Sequence, residues 1–435
     1  MVNYNDKKIV IIGLGKTGLS CIHFFLSRQV IPRVIDTRIS PPSKHKLPIE
    51  VMCHNGSWNT EWLMSADLIV LSPGISISTP ELKIAEDNGI EIIGDIELFC
   101  RETDKFIIAI TGSNGKSTIT TLVAQMAKEA NWRIGVGGNI GTPALTLLKK
   151  DYDLYILELS SFQLETTSSL KAIVAVILNI TEDHTDRYPG GFKQYRAAKL
   201  RIYDGAKVCV INEQDLQTWP LSGRDVRCIS FGINSGDYQL NTNYQELQVK
   251  GKPIISTSKL RLIWQHDYLN GVTALALADV VNIPRKASLA ALTQYTGLPH
   301  RCQLVHKNFG IQWINDSKST NVGSTKAALK SLQVYSTLYL LLGGEGKSVD
   351  FSLLKPDISA KNIKLSCFGR DGYQLAKLKS NSLLLDTMEE CLKAISQELK
   401  VGDIVLLSPA CASFDQFRNF KHRGKKFTEL AKELG

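Results

Sequence analysis

Short apolar runs recur along the chain, each followed by a glycine turn or by polar residues and then by a stretch with helical spacing. The run at residues 8–12 precedes a glycine turn at 13–18, and the run at 106–110 precedes a second glycine turn at 111–118. Similar runs lie at 152–157, 172–178, 338–342 and 404–407. Apolar strands that alternate with helices predict parallel sheets covered by helices on both faces.

This alternation predicts an α/β fold class, and 435 residues are enough for about three domains. We expect a Rossmann-like N-terminal domain at 1–97, a central P-loop ATPase-like domain with a parallel sheet at 98–298 and a C-terminal Rossmann-like domain at 299–435. Short alternating segments at 246–250 and 260–264 predict a small antiparallel subsheet in the central domain.

Composition narrows the class of protein. The chain is 43% hydrophobic and 21% charged, and its apolar runs are far shorter than the roughly 20 residues of a membrane span. The 9 cysteines show no disulfide or zinc spacing. We expect a cytoplasmic monomer without membrane insertion. The net charge of +9 favours small polyanionic substrates over nucleic acid, because the cations are dispersed except at 421–426, which we interpret as a solvated helix face.

The second glycine turn predicts a nucleoside triphosphate site. Its glycines let backbone N–H groups face phosphate oxygens, Lys116 can reach the terminal phosphates, and Ser117 can bind Mg²⁺. The spacing is two residues shorter than the common phosphate-loop motif, although the strand and helix that the motif requires are both present. The candidate residues are Gly112, Ser113, Asn114, Gly115, Lys116, Ser117 and Thr118.

Polar residues follow neighbouring apolar runs. Glu158 and His184 end two of them, so parallel strands would bring both toward Lys116, and Glu158 with Ser117 supplies oxygen ligands for Mg²⁺. Lys199 lies on a predicted helix nearby. In the third region Lys318, Lys347 and Ser413 follow three different runs and would suit a carboxylate-bearing substrate.

The first glycine turn also predicts a nucleotide site but not its ligand. Asp36 follows the second strand near the offset at which an acid would hold a ribose, so a dehydrogenase is one interpretation. A uridine-nucleotide site is another, because a compact Rossmann-like domain can hold any nucleotide diphosphate.

Motifs along almost the whole chain resemble the ATP-dependent Mur ligases of peptidoglycan synthesis, and in particular the members that add D-glutamate. The motifs are Gly13-Leu14-Gly15, Asp36-Thr37-Arg38, Ser72-Pro73-Gly74, Thr111 to Ser117, Gly137 to Gly141, Glu158 to Leu164, Asn179 to His184, Tyr195 to Lys199, Gly297 to Arg301, Asn315 to Asn321, Gly343 to Lys347 and Ser408 to Phe417.

The resemblance implies ATP as cofactor, two Mg²⁺ ions, and D-glutamate and UDP-N-acetylmuramoyl-L-alanine as small-molecule substrates. It implies catalytic roles for Lys116, Glu158, His184 and Lys199, with Ser117, Glu158, His184 and a carbamylated Lys199 at the metal. The implied uridine-substrate contacts are Lys16, Thr17, Thr37, Arg38, Ser72, Gly74, Asn139, Ser160 and Gln163. Further ATP contacts would be Asn270, Arg301 and Asp316, and the D-glutamate contacts Lys318, Thr320, Lys347, Ser413, Phe414 and Phe420.

Two positions depart from the family pattern. Asp267 stands where the pattern has Asn, and Phe414 replaces an aliphatic residue, which would reshape the D-glutamate pocket. The alternatives to this interpretation are a folylpolyglutamate-type ligase, an NAD-dependent oxidoreductase and a non-catalytic nucleotide-binding regulator.

Overall fold

The computed structural model describes residues 2–181, 187–221, 226–262, 265–332, 334–346 and 349–435. The chain divides into two compact units, the first formed by residues 1–261 and 268–295 and the second by 262–267 and 296–435. The first unit contains two sheets and the second contains one. None of the helices in the described part of the chain has both the length and the apolar character needed to span a bilayer.

The first sheet has five parallel strands in the order β3-β2-β1-β4-β5. The strand order reverses between β1 and β4, where an open α/β sheet binds its ligand. Its strands are β1 (Ile9–Ile12), β2 (Arg33–Asp36), β3 (Cys53–Asn55), β4 (Leu68–Leu71) and β5 (Glu91–Gly94), and its helices are α1 (Lys16–Leu26), α2 (Thr60–Met64), α3 (Pro80–Asp87) and α4 (Asp95–Arg101).

The second sheet has nine strands in the order β14-β13-β12-β11-β10-β9-β6-β8-β7. Strands β6 to β12 run parallel, whereas β13 and β14 extend the same sheet as an antiparallel edge. The strands are β6 (Phe106–Thr111), β7 (Ile134–Gly138), β8 (Leu154–Glu158), β9 (Val174–Ile177), β10 (Val208–Asn212), β11 (Arg227–Ile233), β12 (Tyr238–Leu240), β13 (Glu246–Val249) and β14 (Lys252–Ser256). The helices are α5 (Lys116–Glu129), α6 (Ala144–Leu147), α7 (Ser161–Glu165), α8 (Gly191–Leu200), α9 (Gln265–Val280) and α10 (Arg285–Gln294).

The antiparallel part is present, but one of its predicted strands is wrong. Glu246–Val249 pairs with Lys252–Ser256, and the segment that we predicted as the second strand, 260–264, is not a strand at residues 260–262. A short 3₁₀ turn at Thr257–Lys259 precedes it. Lys250 and Gly251, both with positive φ, form a two-residue turn between β13 and β14. The second strand of the pair therefore begins at Lys252 and not at residue 260, where we predicted it.

The third sheet has six strands in the order β15-β16-β20-β17-β18-β19. It is parallel except for β15, which pairs with β16 in an antiparallel hairpin that the sequence analysis missed. The strands are β15 (Gln303–Asn308), β16 (Ile311–Asn315), β17 (Leu338–Gly343), β18 (Ile363–Phe368), β19 (Leu383–Leu384) and β20 (Ile404–Leu407), and the helices are α11 (Val322–Ser331), α12 (Lys355–Ile358), α13 (Gly372–Ala376), α14 (Met388–Ser396) and α15 (Phe420–Leu434).

Candidate functional site

The second glycine turn joins the central strand β6 to the N-terminus of α5. Gly115 has a φ of +84° and precedes Lys116, the first residue of the helix. The backbone conformation favours glycine, and a Cβ at Gly115 would lie 3.0 Å from Oδ1 of Asn270, which would have to shift slightly. The N–H groups of the first helical turn lack intrahelical partners and can receive an anion there.

Asn179, which follows β9, holds the turn in place. Its carbonyl accepts from the Ser113 amide at 2.9 Å, and its side chain accepts from the Asn114 amide at 2.8 Å and donates to the Asn114 carbonyl at 3.2 Å. The Ser113 hydroxyl also lies 3.0 Å from the hydroxyl of the buried Tyr195. The loop is therefore fixed by partners from two other segments of the same unit.

Two lysines converge on the turn. Nζ of Lys116 donates to the Gly112 carbonyl at 2.6 Å and to the Ser113 carbonyl at 3.0 Å. Nζ of Lys199, on α8, donates to the same Gly112 carbonyl at 3.1 Å, and the Lys199 side chain is 2% exposed. The position of Lys199 on α8 thus places its ammonium group beside the phosphate loop.

Glu158 ends β8, and its register partner on β6 is Ile110, the residue before Thr111. The carboxylate is 2% exposed, and its Oε1 accepts from the side chain of Asn139 at 2.8 Å. Its Oε2 is buried and has no hydrogen-bond donor among the described residues. A buried carboxylate oxygen without a donor beside a phosphate loop fits the preference of Mg²⁺ for oxygen ligands.

The described residues contain no group of three or more His, Cys, Asp or Glu side chains placed to hold a metal. His184 and Lys347, two of the residues expected from the sequence, lie outside the described residues.

The first sheet presents its candidate residues where the strand order reverses. Lys16 and Thr17 begin α1 next to the end of β1, and Ser72 and Gly74 follow β4. The Ser72 hydroxyl donates to the Gly13 carbonyl at 3.1 Å, so the two strand ends are in contact. Thr37 and Arg38 follow β2, the strand on the other side of β1, and are exposed.

Asp36 bonds to residues of its own sheet. It is 2% exposed and accepts from the Leu14 amide at 2.7 Å and from the Arg38 side chain, so it shapes the first glycine turn. Burial alone would raise its pKa, but the hydrogen bonds from Arg38 and Leu14 outweigh burial and lower it. The position of Asp36 after β2 is therefore accounted for by its bonds to Leu14 and Arg38.

Ser160 and Gln163 form a capping box at the start of α7. The Ser160 side chain accepts from the Gln163 amide, and the Gln163 side chain accepts from the Ser160 amide at 3.1 Å. Both residues follow directly from Glu158, so the capping box fixes their position relative to the end of β8.

In the second unit Asp316 follows β16 and is 4% exposed. Its Oδ2 accepts from Ser319 at 2.5 Å and from Ser408 at 2.7 Å. Burial raises the pKa of this carboxyl group, and the two serines offset part of that rise. The charge of Arg301 lowers the same pKa, and the amide of the next residue, Cys302, donates to Oδ1 of Asp316 at 3.2 Å. The two expected nucleotide contacts of this unit therefore lie near each other.

Lys318 and Ser413 follow β16 and β20, which are parallel neighbours, so both lie at the same edge of the third sheet. Nζ of Lys318 lies 4.2 Å from the centre of the Phe420 ring. Ser413 is 2% exposed, whereas Thr320 is exposed and the Phe414 side chain is 65% exposed. The backbones of Ala412 and Glu345 exchange two hydrogen bonds of 2.9 Å, which joins the loop before Ser413 to the loop after β17.

Arg423 was expected on a solvated helix face and is instead fully buried. Its guanidinium donates to Ser317 at 2.9 and 3.0 Å and to the carbonyl of Cys411 at 3.1 Å, with longer contacts to Gly343 and Ala412. These residues end or follow β16, β17 and β20. Burial lowers the Arg423 pKa to about 10. Arg423 could not be singled out from the sequence, because it lies in a run of cationic residues whose other members are typical of an exposed helix face.

Three family models match successive parts of the chain. "Mur ligase MurD-like, N-terminal domain" matches residues 7–94, "Mur ligase middle domain" matches 110–278, and "Mur ligase, glutamate ligase domain" matches 300–411. The first glycine turn thus belongs to a Mur ligase N-terminal domain, and the dehydrogenase interpretation is wrong.

Relatives match over the full length. The chain is 61% identical over 436 residues to UDP-N-acetylmuramoylalanine–D-glutamate ligase of Photorhabdus laumondii and 59% identical over 438 residues to the Escherichia coli K12 enzyme of that name, with 100% of each chain covered. Among solved structures, the pseudomurein peptide ligase type C of Methanothermus fervidus matches at 17% identity with a TM-score of 0.61, covering 99% of this chain and 100% of that one. MurF ligase of Thermotoga maritima in complex with ADP also gives a TM-score of 0.61, at 16% identity, covering 100% and 97%. Together with the phosphate loop, these matches show that the chain belongs to the Mur ligase family and is an ATP-dependent ligase.

Proposed function

We propose that this protein joins D-glutamate to UDP-N-acetylmuramoyl-L-alanine and converts ATP to ADP and phosphate, a step in peptidoglycan precursor synthesis. The observation that carries the proposal is the full-length identity of about 60% to ligases named for this reaction. The phosphate loop, the buried Glu158 oxygen and the exposed candidate residues of the first sheet support it.

The reaction has two steps. An oxygen of the alanyl carboxylate attacks the γ-phosphorus of ATP, the bond to the bridging oxygen breaks, and an acyl phosphate and ADP form. The amine of D-glutamate then attacks the acyl carbon through a tetrahedral intermediate, loses a proton and expels phosphate. Phosphoryl transfer of this kind depends on positioning and on neutralisation of charge.

In the first step Lys116 would bind the terminal phosphates, because its ammonium already lies against the loop that receives them. The other loop residues and Asn270 would hold the nucleotide, and we assign Arg301 and Asp316 as further nucleotide contacts. We assign the uridine-linked substrate to Lys16, Thr17, Thr37, Arg38, Ser72 and Gly74, with its acyl end near Asn139, Ser160 and Gln163.

Ser117, Glu158, His184 and Lys199 would hold two Mg²⁺ ions. The metal, when bound, neutralises the phosphate charge that develops during transfer. Lys199 qualifies as a ligand only if CO₂ has converted its amine to a carbamate, which replaces a cation by oxygen ligands. The convergence of two ammonium groups on Gly112 supports this, because a carbamate would turn repulsion between Lys199 and Lys116 into attraction.

For the second step we assign D-glutamate to Lys318, Thr320, Lys347, Ser413, Phe414 and Phe420. The lysines would pair with its two carboxylates. We further propose that the enzyme is a cytoplasmic monomer with domains at 1–97, 98–298 and 299–435.

Phosphate release from ATP tests the function. With UDP-N-acetylmuramoyl-L-alanine, Mg²⁺ and D-glutamate, the chain should release phosphate and form the dipeptidyl product. Replacing D-glutamate by L-glutamate, or the acceptor by UDP-N-acetylmuramate, should abolish product formation. Failure to release phosphate with the complete set of substrates would refute the proposal.

A further inference from the structure

Glu97 joins the first sheet to the segment that carries Ser160 and Gln163. It lies in the first turn of α4, directly after the last strand of the first sheet, and is 1% exposed. Its Oε2 accepts from the amides of Ser168 and Ser169 at 2.8 and 2.9 Å. Its Oε1 accepts from the Ser169 hydroxyl and, at 2.8 Å, from Nε of Arg101.

The segment held by Glu97 continues directly from α7. Thr167 precedes Ser168, and its hydroxyl donates to the Gln163 carbonyl at 2.7 Å. The Gly94 amide at the end of β5 donates to the Thr166 carbonyl at 3.2 Å, and a Cβ at Gly94 would lie 2.4 Å from the Thr166 hydroxyl. The close approach therefore requires glycine, and it seats the end of α7 directly on the first sheet.

These contacts differ from surface tethers because the carboxylate is buried and each partner named above donates a hydrogen bond to it. Burial raises the pKa of Glu97, but the bonds from Ser169, Ser168 and Arg101 outweigh burial and lower it to about 2. The group is ionised at neutral pH, and its charge-assisted hydrogen bonds are of the stronger kind.

We propose that Glu97 is a positioning residue that sets the spacing between the uridine-diphosphate site on the first sheet and the acyl-end site at Ser160 and Gln163. The inference rests on the proposed function, since it concerns a substrate with a nucleotide at one end and an acyl group at the other. Such a substrate binds both sites at once only if their separation matches its length, and small errors in placement slow a reaction strongly.

The variant Glu97→Gln keeps the shape of the side chain but removes its charge and turns one acceptor into a donor. We expect the Kd and the KM of UDP-N-acetylmuramoyl-L-alanine to rise about tenfold, because the loss of charge-assisted bonds loosens the acyl-end site. The Kd of UDP alone, which contacts only the first sheet, and the KM of ATP should stay within about twofold of the wild-type values.

Glu102→Gln is the matched control. The Glu102 side chain is 1% exposed and pairs with Arg28 at 2.7 Å. The same chemical change is therefore made at the C-cap of the same helix, on a carboxylate whose partner lies just after α1 and not in the α7 segment. Its ratio of full-substrate to UDP affinity should equal that of the wild type. Ser169→Ala removes one donor to Glu97 and should weaken binding of the full substrate by a smaller factor of about threefold. This variant replaces Glu97→Gln in the test if Glu97→Gln does not fold.

The proposal is overturned if folded Glu97→Gln, or Ser169→Ala in its place, binds the full substrate as tightly as the wild type. It is equally overturned if UDP and the full substrate weaken by the same factor, because Glu97 would then support only the local fold. Calorimetry measures both affinities without turnover. A wild-type chain without ligase activity would refute the proposed function. The ratio of full-substrate to UDP affinity in Glu97→Gln would still test the role of Glu97, because it is measured without turnover.

Discussion

Asp95 and Glu97 lie two residues apart in the first turn of α4, each 1% exposed, and their pKa values are shifted in opposite directions. Burial raises the pKa of Asp95 to about 6, and neither of its buried carboxylate oxygens has a hydrogen-bond donor among the described residues. Glu97 receives four donors, which outweigh its burial. The number of hydrogen-bond donors, rather than the degree of burial, therefore decides whether the pKa of each carboxyl group rises or falls.

The raised pKa of Asp95 predicts a pH-dependent cost to stability. The folded state holds this proton up to about pH 6, whereas the unfolded chain releases it near pH 3.8, so the free energy of unfolding should fall by about 3 kcal/mol between those values. Asp95→Asn should therefore stabilise the protein at pH 7 by up to about 3 kcal/mol and change little at pH 4. Urea unfolding at the two pH values measures this, and an equal effect at both would contradict it.

Lys116→Ala should slow turnover about a hundredfold, or about 3 kcal/mol of transition-state stabilisation, because one cation is removed from the transferring phosphoryl group. Lys128→Ala, at the exposed C-terminal end of the same helix, is the control and should leave kcat unchanged. Steady-state phosphate release measures both variants. Near wild-type turnover in Lys116→Ala would refute the role assigned to this lysine.

Asn139→Ala should raise the Mg²⁺ concentration needed for half-maximal activity by about 10- to 100-fold. The Asn139 side chain holds Oε1 of Glu158, and partners that orient a metal ligand typically contribute that much to affinity. Asn88→Ala, at an exposed helix end, should leave the magnesium requirement unchanged. An unaltered magnesium dependence in Asn139→Ala would show that Glu158 needs no such support.

The carbamate proposed at Lys199 is directly observable. After equilibration with ¹³C-bicarbonate, the protein should show a carbamate carbon resonance that is absent in Lys199→Arg and retained in Lys207→Arg, which alters an exposed lysine. Persistence of the resonance in Lys199→Arg would place the modification elsewhere.

Arg423→Met should lower the free energy of unfolding by about 3 kcal/mol or more, because it leaves buried carbonyl groups at the ends of three strands without donors. Lys425→Met, on the exposed face of α15, should change it by less than about 0.5 kcal/mol. Chemical denaturation compares the two. Similar stabilities would mean that Arg423 is dispensable to the packing of the strand ends.

The sequence predicted those features that depend on short-range pattern. The apolar runs, the glycine turn before Lys116 and the helical spacing of Lys199 are all visible within about ten residues, and the strands and helices follow them. The family resemblance was confirmed by full-length relatives. The strand that we predicted at 260–264 shows the limit of this approach, since residues 260–262 are not a strand and alternation alone does not reveal which neighbour a segment pairs with.

Long-range partners were not predictable from pattern. Arg423 bonds to Ser317, which is 106 residues away in sequence, and Glu97 bonds to Ser169 across 72 residues. Asp36 likewise accepts a hydrogen bond from the Leu14 amide. The sequence did not predict this contact, because a carboxylate near a glycine turn can bind either a ligand or the turn itself. Only the folded chain shows which donor each group meets.

The three hydrogen bonds from Asn179 to the glycine turn bear on how a nucleotide would be received. A loop braced in this way is shaped before any phosphate arrives, so its ordering entropy has been spent during folding and not at the encounter. Association can then proceed as a rigid docking event, with little rearrangement of the cradle itself.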